Sequence, residues 1–189
     1  AVAALRRLDA ELLREIARVH AGFEAAQRTA DRPAVAQQRD EMRRLVDEAA
    51  LVLVAGGHVA VLLNRLRLFD LPGLLRGKLV AAWSAGAMAL SERIVLFHDR
   101  PPQGAGNAEV FEAGLGLVSG AVFLPDASSR LRLRDTPRVR LLAQRLAPAT
   151  CYVLDDGDWL FWRDGRLQDS CGAKRLLRSG RLSPAWAAT

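Results

Sequence analysis

The stretch that most constrains this chain is Lys78–Leu90, KLVAAWSAGAMAL. An apolar run, Leu79 to Trp83, leads into Ser84, and the small residues Ala85, Gly86 and Ala87 follow before a helix-capable run to Leu90. A strand, a serine on a tight turn and a helix form the layout that lifts a hydroxyl above the end of a sheet, a nucleophile elbow. Small neighbours are required because the backbone closes so sharply there. The same residues also fit a buried strand followed by an N-capping serine, since Ser is a favoured cap. This stretch alone leaves both readings open.

The flanking segments repeat the strand–turn–helix plan. Leu51–Val54 is a short, wholly apolar run, followed by Ala55-Gly56-Gly57-His58 and a helical pattern through Val61, Leu62, Leu66 and Phe69. An unbroken apolar strand of this kind predicts burial on both faces of a parallel sheet. The G-x-G-x-x-G spacing of a dinucleotide site is absent. Ile94–Phe97 is another apolar run, ending in His98-Asp99, and residues 100–109 read as a Pro- and Gly-rich loop. Gly114-Leu115-Gly116-Leu117 precedes a strand at Ala121–Leu124 and a polar turn from Pro125 to Ser129. Pro137 opens a helix through Leu146, and Thr150–Leu154 is a further strand. Trp159–Trp162 and Arg166–Gln168 flank Asp164-Gly165, a favoured hairpin turn.

The first fifty residues differ in kind. Leu5, Leu8, Leu12, Ile16, Val19 and Phe23 mark one amphipathic helix over residues 4–27, and a second runs from about Pro33 to Glu48. Their apolar stripes predict packing on each other or on a second chain. The expected division is therefore a helical segment at 1–50, an α/β domain at 51–170 and a basic C-terminal tail at 171–189, whose residues Lys174–Leu182 read as a loose extension. The fold class expected is α/β: a doubly wound, mostly parallel sheet with helices on both faces, the N-terminal part reduced to two helices, and a C-terminal β-hairpin.

Composition removes several function classes. The formal charge of +6 is spread over nearly every segment, without interleaved aromatics or zinc-finger spacing, so a nucleic-acid role is not expected. Two cysteines, Cys151 and Cys171, are too few for a disulfide framework, and a reducing cytoplasm is the expected location. No apolar run reaches a membrane span, and no metal site or cofactor is expected. The acidic turn at Asp155, Asp156 and Asp158 lacks the layout of a calcium loop and reads as a turn. His20, His58 and His98 are the whole imidazole inventory.

In their order, Ala55-Gly56-Gly57, Ser84-Ala85-Gly86-Ala87 and Gly114-Leu115-Gly116-Leu117 resemble the dipeptidase E and cyanophycinase family of serine peptidases, over about residues 50–168. That family has a fold like class I glutamine amidotransferases. The resemblance implies that Ser84 is the nucleophile and that the backbone N–H groups of Ala85 and Gly57 form the oxyanion hole. It also implies a site role for Asp99, which follows the serine at the family's spacing. Where the family carries its catalytic histidine, after the third motif and its strand, this chain reads Leu124-Pro125-Asp126. Asp126 thus stands at the base position. A carboxylate with an ordinary pKa near 4 is a poor base for a serine hydroxyl. Ala82 replaces the glycine usual two residues before the serine, and two helices stand where the family begins with strands.

These residues point to a divergent serine-peptidase-like protein, degenerate or weakly active, that assembles through its N-terminal helices. The alternative is an active hydrolase of peptide or isopeptide bonds with His58 or His98 as base. A peptide-like small molecule is the expected ligand in either case.

Overall fold

A computed structural model describes residues 1–97 and 106–186. Two helices open the chain, α1 (Val2–Gln27) and α2 (Pro33–Glu48), joined by a short 3-10 turn at Thr29–Asp31. Pro33 at the first turn of α2 sits where its missing N–H costs nothing. The α/β part then runs β1 (Val52–Val54), α3 (Val59–Leu68), a single turn α4 (Leu71–Leu74), β2 (Val80–Ala82), α5 (Ala85–Leu90), β3 (Arg93–Leu96) and β4 (Glu109–Ala113). It continues through β5 (Ala121–Pro125), α6 (Ala127–Arg130), α7 (Thr136–Leu146), β6 (Thr150–Leu154), the hairpin β7 (Trp159–Arg163) and β8 (Arg166–Cys171), β9 (Lys174–Leu176) and β10 (Leu182–Pro184). The α/β class and the C-terminal hairpin read from the sequence are both present.

Two parallel pairs form the heart of the fold: β1 with β2, and β5 with β6. β5 is buried along its whole length, as an all-apolar parallel strand should be. Val122 and Leu124 face the main core, built with Ile94 and Val95 of β3, Met88 of α5, and Val139 and Leu146 of α7. Ala121 and Phe123 face the opposite way, into a cluster with Tyr152, Ala87 and the hairpin's Trp162. Trp162 meets Phe123 and Tyr152 edge-on, and those two rings are tilted to each other, with centroids 5.3–6.2 Å apart across the three pairs.

β1 and β2 depart from the expectation of burial on both faces. Val52, Val54 and Val80 turn inward, but Leu51, Leu53, Leu79, Ala81 and Trp83 share the other face and are exposed; Leu53 keeps 60% of its surface in water. Among the described residues nothing lies over that face.

The tail is a second correction. Residues 174–184 are not a loose extension: β9 pairs antiparallel with β6 and β10 pairs with β9, extending the sheet to the order β10-β9-β6-β5. Buried Leu176 and Ala185 anchor them, whereas Lys174 and Arg175 point outward. Three-residue strands with one apolar anchor each give no readable period. β4, which pairs antiparallel with β3, also escaped the sequence reading. Its inward positions are Val110, which joins the main core, and Glu112, which is buried and takes a hydrogen bond from Arg67 of α3.

α1 is fixed by one buried ion pair. Asp9, on its inner side, accepts two hydrogen bonds from Arg145 of α7, at 2.6 and 2.7 Å. α1 thus packs on α7 and β4 rather than on α2. Its apolar stripe is split lengthwise: Leu5, Leu13 and Ile16 are partly covered, while Leu8, Leu12, Val19 and Phe23 face water.

Candidate active site

The turn between β2 and α5 places Ser84 at φ 53°, ψ −127°, a conformation rarely taken by a residue with a side chain. Such backbone costs on the order of 1–3 kcal/mol and persists only where its surroundings impose it. Here they do. Trp83 N–H donates to the Val54 carbonyl (3.2 Å), which ties the end of β2 to β1. α5 then leaves so close to β1 that a Cβ on Gly86 would lie 2.2 Å from the Val54 oxygen. Only glycine fits at Gly86, and the strained turn follows from that approach.

The capping alternative for Ser84 fails. Its side chain makes no cap hydrogen bond to α5, and the residue is exposed. Its hydroxyl therefore stands at the carboxyl end of a parallel strand, available to solvent.

The β1–α3 turn closes over the same point. A Cβ on Gly56 would meet Ser84 Cβ at 2.9 Å and Ser84 Oγ at 3.0 Å, so the glycine backbone lies directly against the hydroxyl. Gly57 follows at φ 139°, a value that favours glycine. Among the described residues, the N–H groups of Gly57 and Ala85 have no acceptor. Free backbone donors flanking a serine at strand ends are the components of an oxyanion hole. The structure thus brings together Ser84, Ala85 and the Gly56-Gly57 turn. Gly56 itself was not singled out from the sequence; the doubled glycine was the signal for it.

His58 follows directly. Its backbone carbonyl accepts from Leu62 N–H (3.0 Å) at the start of α3, yet its imidazole caps nothing. The ring is exposed and, among the described residues, without a hydrogen-bond partner. His20 is elsewhere, on α1, with Nε2 3.8 Å from Glu112. His98 and Asp99 lie outside the described residues.

Asp126 begins α6 in the left-handed conformation, φ 52°, ψ 40°. Its N–H donates to the Leu154 carbonyl (2.7 Å), which fixes it at the carboxyl end of β5 beside β6. Its carboxylate is exposed, and no hydrogen bond joins it to Ser84 or His58 among the described residues. Next to it, the Asp155 carboxylate accepts from Ser128 N–H (2.9 Å) and from the Ser128 hydroxyl, so the start of the acidic turn holds α6 in place. A cavity of about 860 Å³ opens beside Asp126, lined by Arg130, Arg132, Arg138 and Arg145 among others, but not by Ser84. Phe97 also lines it, with the Arg130 guanidinium 4.1 Å above its ring. No group of three or more metal-ligating side chains occurs among the described residues.

An exposed serine in a strained strand-to-helix turn, beside free backbone donors in an α/β fold, is the backbone layout that a nucleophile elbow requires. A scan against protein-family models matches residues 13–169 to peptidase family S51. The chain belongs to that family. The match reaches further than the motifs suggested, taking in most of α1 and all of α2. Searches of curated proteins and of solved structures gave no match.

Proposed function

We propose that this protein retains the nucleophile and oxyanion half of a serine peptidase and lacks the dedicated base, acting on or holding peptide-like ligands with low turnover. Ser84 attacks, and the N–H groups of Ala85 and Gly57 stabilise the oxyanion. One observation carries this reading: Ser84 keeps φ 53°, ψ −127° although its hydroxyl caps nothing. A serine serving only as a cap or core residue gains nothing from that strain.

Asp126 occupies the position of the family's histidine. A positioned general base is worth typically 10²–10⁴ in rate, and an ordinary carboxylate supplies little of it. A fluorophosphonate probe tests the proposal through its rate of labelling. The wild type is expected to label slowly, and Asp126→His to label at least about tenfold faster. His is among the residues that tolerate the left-handed conformation held at this position, so the backbone there need not move. Equal rates for the two proteins refute the missing-base account.

A second reading has its own support. The unpartnered His58 ring stands two residues from Gly56, which touches Ser84. In that reading His58 is the base and the protein is a working hydrolase of peptide or isopeptide bonds. His58→Gln then abolishes labelling, whereas the missing-base account predicts little change. In both readings the protein works in the cytoplasm and assembles with copies of itself through the N-terminal helices. No described helix is long and apolar enough to cross a membrane.

A further inference from the structure

The bare face of β1 and β2 needs a cover. Parallel strands occur almost only with both faces buried, and the usual cover is a helix. This chain carries an unused one: the outer edge of α1, where Leu8, Leu12, Val19 and Phe23 lie exposed while Asp9 holds the inner edge to Arg145. We infer that two copies pair by exchanging these surfaces, the outer stripe of α1 in each copy seated on the β1–β2 face of the other.

The stripe is long enough to span the face. From Leu8 to Phe23 a helix rises about 22 Å at 1.5 Å per residue. The apolar face runs about 13 Å along the strands from Leu79 to Trp83, at 3.3 Å per residue. The areas also select this arrangement. A full aliphatic side chain carries roughly 60–120 Å² of apolar surface and an aromatic one about 150–250 Å². At their observed exposures each patch then leaves on the order of 300 Å² in water. Reciprocal exchange covers four patches, about 1,200 Å², which meets the lower limit of a specific interface. Packing the two sheet faces, or the two α1 stripes, on each other covers only about half as much and falls short.

The inference rests on the proposed assembly through the N-terminal helices and names the surface those helices meet. It is independent of the chemistry of Ser84. Light scattering on the full chain at tens of micromolar is expected to give twice the protomer mass. Leu53→Glu and Val19→Glu, both on exposed positions, are each expected to return it to a monomer with an unchanged circular dichroism spectrum. Cross-linking identifies the partner surfaces. In a Cys171→Ser background, a mixture of Val19→Cys and Leu53→Cys proteins is expected to form the mixed disulfide preferentially. Preferential Val19→Cys homodimers overturn the inference and leave helix-mediated assembly standing. A monomeric wild type overturns both.

Discussion

Replacing Gly86 by alanine perturbs the elbow without touching any reacting atom. The new Cβ would sit 2.2 Å from the Val54 carbonyl oxygen and 2.8 Å from that of Ala55. Both neighbours are backbone and cannot rotate away. Restoring a 3.0 Å contact requires α5 and β1 to part by about 0.8 Å. α5 is buried along its whole length, so the displacement spreads into the core. Overpacking of this kind costs typically 1–3 kcal/mol, more against immovable atoms, and the helix preference of alanine over glycine returns only about 1 kcal/mol. A net loss of about 2 kcal/mol lowers the melting temperature by roughly 4–8 °C for a chain of this length. The effect on the site is larger. A misplacement near 1 Å can cost about 10² in rate, so fluorophosphonate labelling is expected to fall by that factor at temperatures where the variant is fully folded. Gly22→Ala is the control. It lies mid-helix in α1 with nothing within 4 Å of the added methyl, and is expected to stabilise by about 0.5–1 kcal/mol. A Gly86→Ala protein that melts at or above the wild type and labels at its rate refutes the close approach from which the strained turn is derived.

Two further expectations follow from buried groups. Asp9→Ala leaves the Arg145 guanidinium, with 16% of its side chain exposed, without its carboxylate. It is expected to cost about 3–5 kcal/mol in denaturant unfolding, whereas replacing both partners by Leu and Met is expected to be near neutral. Burial pushes the Cys151 thiol up to about 12, so at pH 8 an alkylating reagent is expected to modify Cys171 alone until the protein is unfolded. The unfolded thiol ionises near pH 9 and the folded one near 12, so this group's contribution to stability is complete below pH 9 and is lost as the pH rises towards 12. Alkylation of both thiols in the native protein at pH 8 contradicts that burial.

Much of the site was legible because its residues answer to local backbone geometry. Small residues around Ser84 and the doubled glycine at Gly56-Gly57 are needed wherever a strand turns sharply into a helix, and the chain order of these turns carried the family resemblance. The choice between a capping and a reactive serine was not legible, because it depends on a dihedral angle and on the Val54 carbonyl facing Gly86. Long elements such as α1, α2 and α7 showed in their periodicity. β4, β9 and β10 did not. Glu112 turns inward in β4 because Arg67 arrives from 45 positions earlier to pair with it, and β9 and β10 are too short to display a period. The exposed face of β1–β2 was misread for a related reason. Apolar pattern reports which surface seeks cover, and says nothing of whether the same chain provides it.

The central claim is that Ser84 is a preserved nucleophile. Intact-mass analysis after prolonged incubation with a fluorophosphonate, followed by peptide mapping, tests it directly. The account predicts a single adduct on the peptide containing Ser84, absent in Ser84→Ala, whose melting temperature stays within a few degrees of the wild type. An unmodified wild type, or an adduct that persists in Ser84→Ala, contradicts it.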